Sequence, residues 1–177
     1  SEALRVVNSA CRHLAGLPVA KHARPPGLYL VGGTVRDALL GRALTDMDLV
    51  LEGHDPQGLV SQLQRESGGT MAFHAAFGTS ALSLPSGLVI DVAGAREEYY
   101  RHPGALPEVA PSNIRKDLSR RDFTVNAMAV RLCPEPLELI DPYDGRSDLE
   151  RRQLRPLHPL SFVEDPTRIL RGARLAG

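Results

Sequence analysis

The sequence predicts an α/β fold: a helix, then a mixed block of strands and helices, then a second helical stretch. Three observations predict it. Apolar residues recur at helical spacing near the N-terminus, short apolar strands alternate with helical patterns between residues 28 and 93, and helical spacing returns from Phe162 onward. At 177 residues the chain can bury one core with at most a small second module. Its 42% apolar and 24% charged content fit a globular protein and exclude disordered and fibrous classes. No apolar run approaches the ~20 residues that span a bilayer, and the first twenty residues lack the layout of a signal peptide.

In "SEALRVVNSACRHLAGLPVA", Leu4, Val7, Cys11 and Leu14 mark one helical face. "KHARPPG" is a linker, because Pro25 and Pro26 forbid helix and Gly27 permits a turn. "LYLV" (28–31) is a buried strand. "TVRDALLG" (34–41) is a helix with Gly41 at its C-terminal cap. "DMDLVLE" (46–52) alternates and returns as a strand. Leu59 to Glu66 is a helix stopped by Gly68 and Gly69, and "TSALSL" and "LVIDVA" form a hairpin around the turn sequence "PSG". Residues 96–119 hold prolines and little periodicity, and read as a long, functional loop. "RRDFTVNAMAVRL" (120–132) starts charged and becomes a helix or a strand. "LELIDPYDG" gives a short strand and a turn. "FVEDPTRILRGARLAG" is helical, with Pro166 early and Ile169, Leu170 and Ala173 alternating with Arg. The initial Ser and the uncapped end at Gly177 read as cuts in a longer protein.

Net charge is zero, which excludes a generally basic nucleic-acid coat. The cations are nevertheless nearly all Arg, with Lys21 and Lys116 the exceptions, and Arg suits planar, bidentate contact with phosphates and base edges. Cys11 and Cys133 fit no metal-ligand spacing and read as buried free thiols in a reducing cytoplasm.

Asp46 and Asp48 lie two apart in a strand and project to one face, where their repulsion calls for a counter-charge. Mg²⁺ is the natural one, since it takes oxygen ligands and keeps waters for substrate phosphates to replace. The alternative is a turn acid followed by a surface acid. Gly32 and Gly33, directly after a strand, let backbone N–H groups approach an anion, and Arg36 adds a charged donor one turn in. No Lys-Ser or Lys-Thr follows, so this is not a Walker loop. Asp91, central in "LVIDVAG", is a candidate third acid if two metals act on one phosphoryl group; otherwise it faces solvent.

Three ordered motifs, "LVGGTVRDALLGR…DMDLV", "RRDFTVNAMA" and "EDPTRILRGARLA", resemble the signatures of the class II tRNA nucleotidyltransferases. That family comprises CCA-adding enzymes, their CC-adding and A-adding relatives, and bacterial poly(A) polymerases. The resemblance runs from about Leu28 to the C-terminus. It implies a polymerase-beta-like head domain with a mixed sheet of α+β type, followed by helical neck, body and tail domains that hold tRNA. Residues 1–27 would be an N-terminal helix and linker, 28–150 the head, and 151–177 the beginning of the neck.

The resemblance further implies that Asp46 and Asp48 bind catalytic Mg²⁺, with Asp91 as the third carboxylate. Gly33 and Arg36 match nucleotide-contacting positions, Arg121 a nucleotide-binding arginine, and Asp122 a partner of the ribose. Asp165 and Arg168, three apart on a helix, would read the amino-plus-acceptor edge shared by cytosine and adenine. Arg171 and Arg174 continue that ridge toward the triphosphate. The plain alternative for this last group is exposed arginines and an i,i+3 surface ion pair. "IDPYDGRSDLE" reads as an Asx-type turn with a structural role, and 96–119 as a segment in which family members of different specificity differ. The expected activity is template-independent addition of C and/or A to a tRNA 3′ end from CTP and/or ATP, in the cytoplasm and without a membrane partner. The alternatives are a bacterial poly(A) polymerase and a catalytically silent nucleotide-binding module.

Overall fold

The computed structural model describes residues 2–19, 24–74, 78–99 and 108–176. Helix α1 (Glu2–Ala15) leads into β1 (Gly27–Val31), α2 (Gly33–Leu39), β2 (Asp46–Glu52), α3 (Pro56–Ser67), and then β3 (Thr70–His74), β4 (Thr79–Ser83) and β5 (Val89–Gly94). A small hairpin, β6 (Arg96–Tyr99) and β7 (Glu108–Pro111), precedes α4 (Ile114–Ser119) and a 3-10 turn at Thr124–Asn126. Strands β8 (Ala129–Cys133) and β9 (Glu138–Ile140) and helices α5 (Gly145–Glu150), α6 (Ser161–Glu164) and α7 (Thr167–Ala176) complete the chain.

Seven strands form one mixed sheet in the order β3-β4-β5-β2-β1-β8-β9, in which β2 and β5 are the parallel pair. The two faces separate by the period-2 rule. Leu28, Met47, Leu49, Leu51, Ile90 and Val92 point to one side and pack under α1 and α3 through Val6, Ala10, Leu14, Leu59 and Leu63. Tyr29, Val31, Val50 and Ala129 point to the other side, beneath Ile114 and Leu118 of α4. Each fully buried aliphatic side chain of this kind contributes about 1.5–3 kcal/mol. Asp46 and Asp48 share the parity of Val50, so the acids emerge on the α4 side while the α1–α3 side stays apolar.

Local chemistry explains the boundaries. Helix α3 begins at Pro56, three residues before the expected Leu59, because Asp55 caps it, accepting from Gln57 N–H at 3.1 Å and Gly58 N–H at 2.8 Å. Gly68 ends it in the left-handed conformation (φ 71°). Gly41 follows α2 as expected and donates its N–H to the Ala38 carbonyl. The buried stripe of α1 is Val6, Ala10 and Leu14; Leu4, expected on that stripe, is exposed. Cys11 and Cys133 are free, and α1 and β8 bring them together. A hydrogen bond to Cys133, followed by burial, pushes the Cys11 thiol up.

Four expectations need correction. Residues 96–119 are not one loop: β6 and β7 pair with each other, and α4 follows, anchored by the Glu52 carboxylate accepting from Ile114 N–H at 2.8 Å. Residues 100–107 of that stretch lie outside the described residues, as do 20–23 of the expected linker. The hairpin gains a third strand, β3, on the sheet edge. "GRSDLE" is helix α5 rather than turn, held at its start by Asp141, which accepts from Gly145 and Arg146 N–H groups. The final helix is two helices, because Asp165 is extended (φ −137°, ψ 94°) ahead of Pro166, as the residue before a proline prefers.

Candidate active site

A cleft of about 1560 Å³ opens between the Gly32–Gly33 bend, the 120–126 segment, α5 and the α6–α7 junction. Small-molecule sites usually occupy ~300–1,000 Å³, so the cleft has room for more than one small ligand. Of the twelve residues expected to form a site, Gly32, Gly33, Arg36, Asp48, Arg121, Asp122, Asp165, Arg168, Arg171 and Arg174 line it. Asp46 and Asp91 are outside that lining but on the same sheet face as Asp48: Asp48 stands directly opposite Asp91 across the parallel pair, and Asp46 opposite Val89.

Gly32 has φ 64° and ψ −132° and introduces α2. A Cβ there would sit 2.6 Å from Nη1 of Arg121, so the bare backbone lets this guanidinium lie across the bend. A Cβ on Gly33 would meet Arg36 at an ordinary 3.5 Å. Helix α2 is only about two turns long, and the cationic wall of the bend is made by side chains. Arg36 is fixed by Asp37 through Nε and Nη2 (3.1 and 2.9 Å) and donates from Nη1 to Asn126 Oδ1 at 2.7 Å.

Thr34 clasps Asp48: its Oγ1 accepts the Asp48 N–H at 3.0 Å and lies 3.5 Å from Oδ2. Burial raises the Asp48 carboxyl above its ordinary range, and the Asp46 and Asp91 charges raise it further, while Arg121 and Thr34 oppose them. Burial and then Asp46 likewise raise Asp91. Among the described residues, no group of three or more His, Cys, Asp and Glu side chains is gathered closely enough to hold a metal by itself. The donors present are nonetheless oxygen-only, share one face, and are destabilised as anions by each other. One or two carboxylates completed by substrate phosphates and water is how Mg²⁺ is usually held, so the residues fit a hard divalent cation.

Asp122 is occupied within the protein. Its Oδ1 accepts from Phe123 N–H (2.8 Å) and Asn126 Nδ2 (3.1 Å), and its Oδ2 from Arg171 Nε (3.1 Å). Arg171 also donates from Nη2 to Asp165 Oδ2 at 3.0 Å, so it ties α7 to the 120–126 segment instead of standing free for a phosphate. The expected open fork of Arg168 differs too. Arg168 is 3% exposed and donates to Ser161 Oγ (2.7 Å) and the Arg120 carbonyl (3.0 Å), with Nε 3.8 Å from Asp165 and without a hydrogen-bond partner. Burial acts to raise the Asp165 carboxyl, but hydrogen bonds from Thr167 and Arg171 outweigh it and hold it below the ordinary range.

Sequence reasoning missed Thr34, Asn126, Arg120 and Asp117. Asn126 bridges Arg36 and Asp122, and nothing but its place within a quoted motif marks it. Asp117 and the arginines three and four residues later have helical pair spacing, which is a usable signal, yet the run "IRKDLSRR" looks solvated.

Residues 28–155 match the family described as poly A polymerase head domain. Over 150 residues the chain is 50% identical to the CC-adding tRNA nucleotidyltransferase of Deinococcus radiodurans, covering 84% of this chain and 40% of that protein. It is 46% identical over 148 residues to the A-adding tRNA nucleotidyltransferase of Halalkalibacterium halodurans, covering 83% and 34%. A solved tRNA nucleotidyltransferase complexed with a primer tRNA and an incoming ATP analog superposes with a TM-score of 0.76 at 36% identity, over 97% of this chain and 44% of its own length. The chain therefore spans well under half the length of these relatives.

Proposed function

Since this chain belongs to the poly A polymerase head domain family, we propose that it is the catalytic head of a tRNA 3′-end nucleotidyltransferase, one that transfers CMP and/or AMP from CTP or ATP to an RNA 3′-hydroxyl. The observation that carries the reading is the register that sets Asp48 opposite Asp91, with Asp48 entering a cleft rich in arginine. Three acids crowded on one face cost stability and serve no purpose in a passive binding module. They make sense as ligands of a cation that works on phosphate. The complex of a 36% identical nucleotidyltransferase with primer tRNA and an ATP analog supports the substrate classes.

In this reading Asp46 and Asp48 hold Mg²⁺, with Asp91 as the third carboxylate. When bound, the metal supplies charge neutralisation at the α-phosphate and lowers the pKa of the attacking hydroxyl. Arg36 and Arg121 at the glycine bend, and Arg174 on the far wall, take the triphosphate. Asp165 and Arg168, whose Nε lies 3.8 Å from Asp165 Oδ2, form the base-reading end. Asp122 meets the ribose while it docks Arg171. Residues 28–150 form the head and 151–177 begin the neck. No described helix is long and apolar enough to cross a membrane, and a cytoplasmic site of action fits two free thiols.

The experiment is nucleotide incorporation on tRNAs ending at successive positions of the CCA terminus, with wild type and Asp46→Ala. CTP or ATP should be added once or a few times by wild type and not by the variant. A long adenylate tail on a generic RNA primer would instead identify a poly(A) polymerase. No incorporation of either nucleotide, together with metal-independent nucleotide binding, would leave only the silent module.

A further inference from the structure

Helix α4 carries one acid that none of the motifs above uses. Asp117 is fully buried, at 0% exposure, within the polar run "IRKDLSRR". A carboxylate in such a place is costly unless cations and hydrogen bonds meet it. Here they meet it from several sides. Oδ1 accepts from Nε and Nη2 of Arg120 at 3.0 and 2.8 Å, and the Arg96 N–H approaches it at 3.4 Å. Arg120 is itself fixed by Glu98 at 2.8 Å. Oδ2 accepts from Nη2 of Arg121 at 2.9 Å. One oxygen thus fastens the carboxylate to the α4–β6 framework, and the other is turned toward Arg121.

Arg121 is the guanidinium that lies across the Gly32 bend, with Nη1 2.6 Å from where a Cβ of residue 32 would sit. It lines the cleft with Gly33, Arg36 and Asp48. Its two terminal nitrogens therefore divide the work: Nη2 is held from behind by Asp117, and Nη1 lies over the bend. A long side chain ordered before its ligand arrives has less rotamer freedom to lose on binding. The planar fork makes the arrangement specific, because fixing one nitrogen fixes the direction of the other.

We propose that Asp117 is a positioning residue for the nucleotide: from inside the fold it holds Arg121 over the Gly32–Gly33 bend, so that the guanidinium meets the triphosphate already oriented. The inference rests on the reading of the cleft as a nucleotide site. A purely structural role predicts something different. Neutralising Arg120 for the sake of the fold would affect stability and the folded fraction, and leave the nucleotide affinity of folded molecules alone. A positioning role weakens affinity, and does so through Arg121.

The test is a double-mutant cycle between Asp117→Asn and Arg121→Ala, read by calorimetric titration of this chain with CTP and ATP and with thermal unfolding recorded alongside. Each single variant should weaken nucleotide binding by roughly tenfold to a hundredfold, as expected for a charge-assisted hydrogen bond. The double variant should bind within about twofold of Arg121→Ala alone, since sites acting through one group do not add. Asp117→Glu, which keeps the charge but displaces it by one methylene, carries the same cycle if Asp117→Asn fails to fold. The inference is overturned if the Asp117 variants lose thermal stability with affinity unchanged, if Arg121→Ala binds normally, or if the two losses multiply. Wild type that binds neither nucleotide overturns the functional reading as well; wild type that binds, with multiplying losses, overturns this inference alone.

Discussion

At the scale of single residues the site is a set of conflicts held in place by the surrounding fold. The doubled glycine shows two different reasons for the same residue. Gly32 is in the left-handed half of backbone space and has Arg121 Nη1 2.6 Å from where its Cβ would sit; Gly33 has neither constraint. Gly32→Ala should therefore cost on the order of 1–3 kcal/mol and displace Arg121, weakening nucleotide binding, whereas Gly33→Ala should fold almost normally. Equal thermal shifts for the two would contradict this account of the bend. Asp48 is a second conflict. Burial and its acidic neighbours hold its folded carboxyl above the unfolded value of ~3.9. The folded chain then binds more protons than the unfolded one between the two values, so stability falls as pH rises through that window and stays reduced above it. Asp48→Asn removes the repelling charge. In metal-free buffer at pH 7 it should melt higher than wild type, by roughly 2–4 °C for each kcal/mol relieved, with the gain vanishing below about pH 4. Nucleotide incorporation should fall by more than about a hundredfold. A variant that melts lower and still polymerises would sink the assignment of Asp48.

At the scale of elements, what the sequence made legible follows from how strongly each segment repeats itself. Strand β2 was readable because exposed or half-buried Asp46 and Asp48 alternate with buried Met47 and Leu49 before a run buried on both faces, and α2 because a glycine closes it. Strand β3 gave no such pattern, since four of its five residues are exposed at the sheet edge. The β6–β7 hairpin was hidden by prolines and by pairing only with itself. The break between α6 and α7 was written in Pro166, but helical spacing on both sides of it invited a single helix. That break matters, because the extended Asp165 caps α7, accepting the Thr167 N–H at 2.9 Å, and receives Arg171. Its folded carboxyl lies below the ordinary value. The stabilisation it provides is therefore present above about pH 3.9 and is lost as pH falls through the lower folded value. Acid titration followed by backbone NMR should show the α7 amides shifting and broadening below about pH 4 while those of β1 and β2 hold. A single transition common to α7 and the sheet would mean that the Asp165 junction does not control the docking of α7.

At the scale of the whole molecule, the sheet register and the packing of α4 do what composition hides. The chain is neutral overall, and a neutral composition argued against a basic coat. The fold nevertheless lines the cleft with eight arginines. Asp37 and Asp117 behind the lining pair with Arg36, Arg42, Arg120 and Arg121, and among the described residues Arg152 and Arg174 have no ion-pair partner. The sequence named the acids and the arginines of the three motifs, because glycine, aspartate and arginine have few reasons to cluster in that order. It did not reveal which arginines are spent inside the protein. Arg168 and Arg171 look alike in a helical ridge, and only the distant partners Ser161, Arg120 and Asp122 decide that both are largely committed. Nor did it reveal Asp117, whose burial depends on β6 packing over α4. The charge segregation carries a quantitative consequence. For single-stranded nucleic acid, the slope of log K against log salt is about −0.7 for each phosphate neutralised. Two phosphates neutralised by Arg152 and Arg174 then give a slope of roughly −1.4 for a short RNA bearing a free 3′ end, or a loss of about sevenfold between 50 and 200 mM salt. Fluorescence anisotropy at several salt concentrations measures it. Charge reversal at Arg174→Glu, on the cleft wall, should flatten the slope toward zero, while reversal at Arg65→Glu, an exposed position of α3 away from the cleft, should leave it unchanged. A slope near zero in wild type, or equal effects of the two reversals, would show that RNA is not held by this cleft.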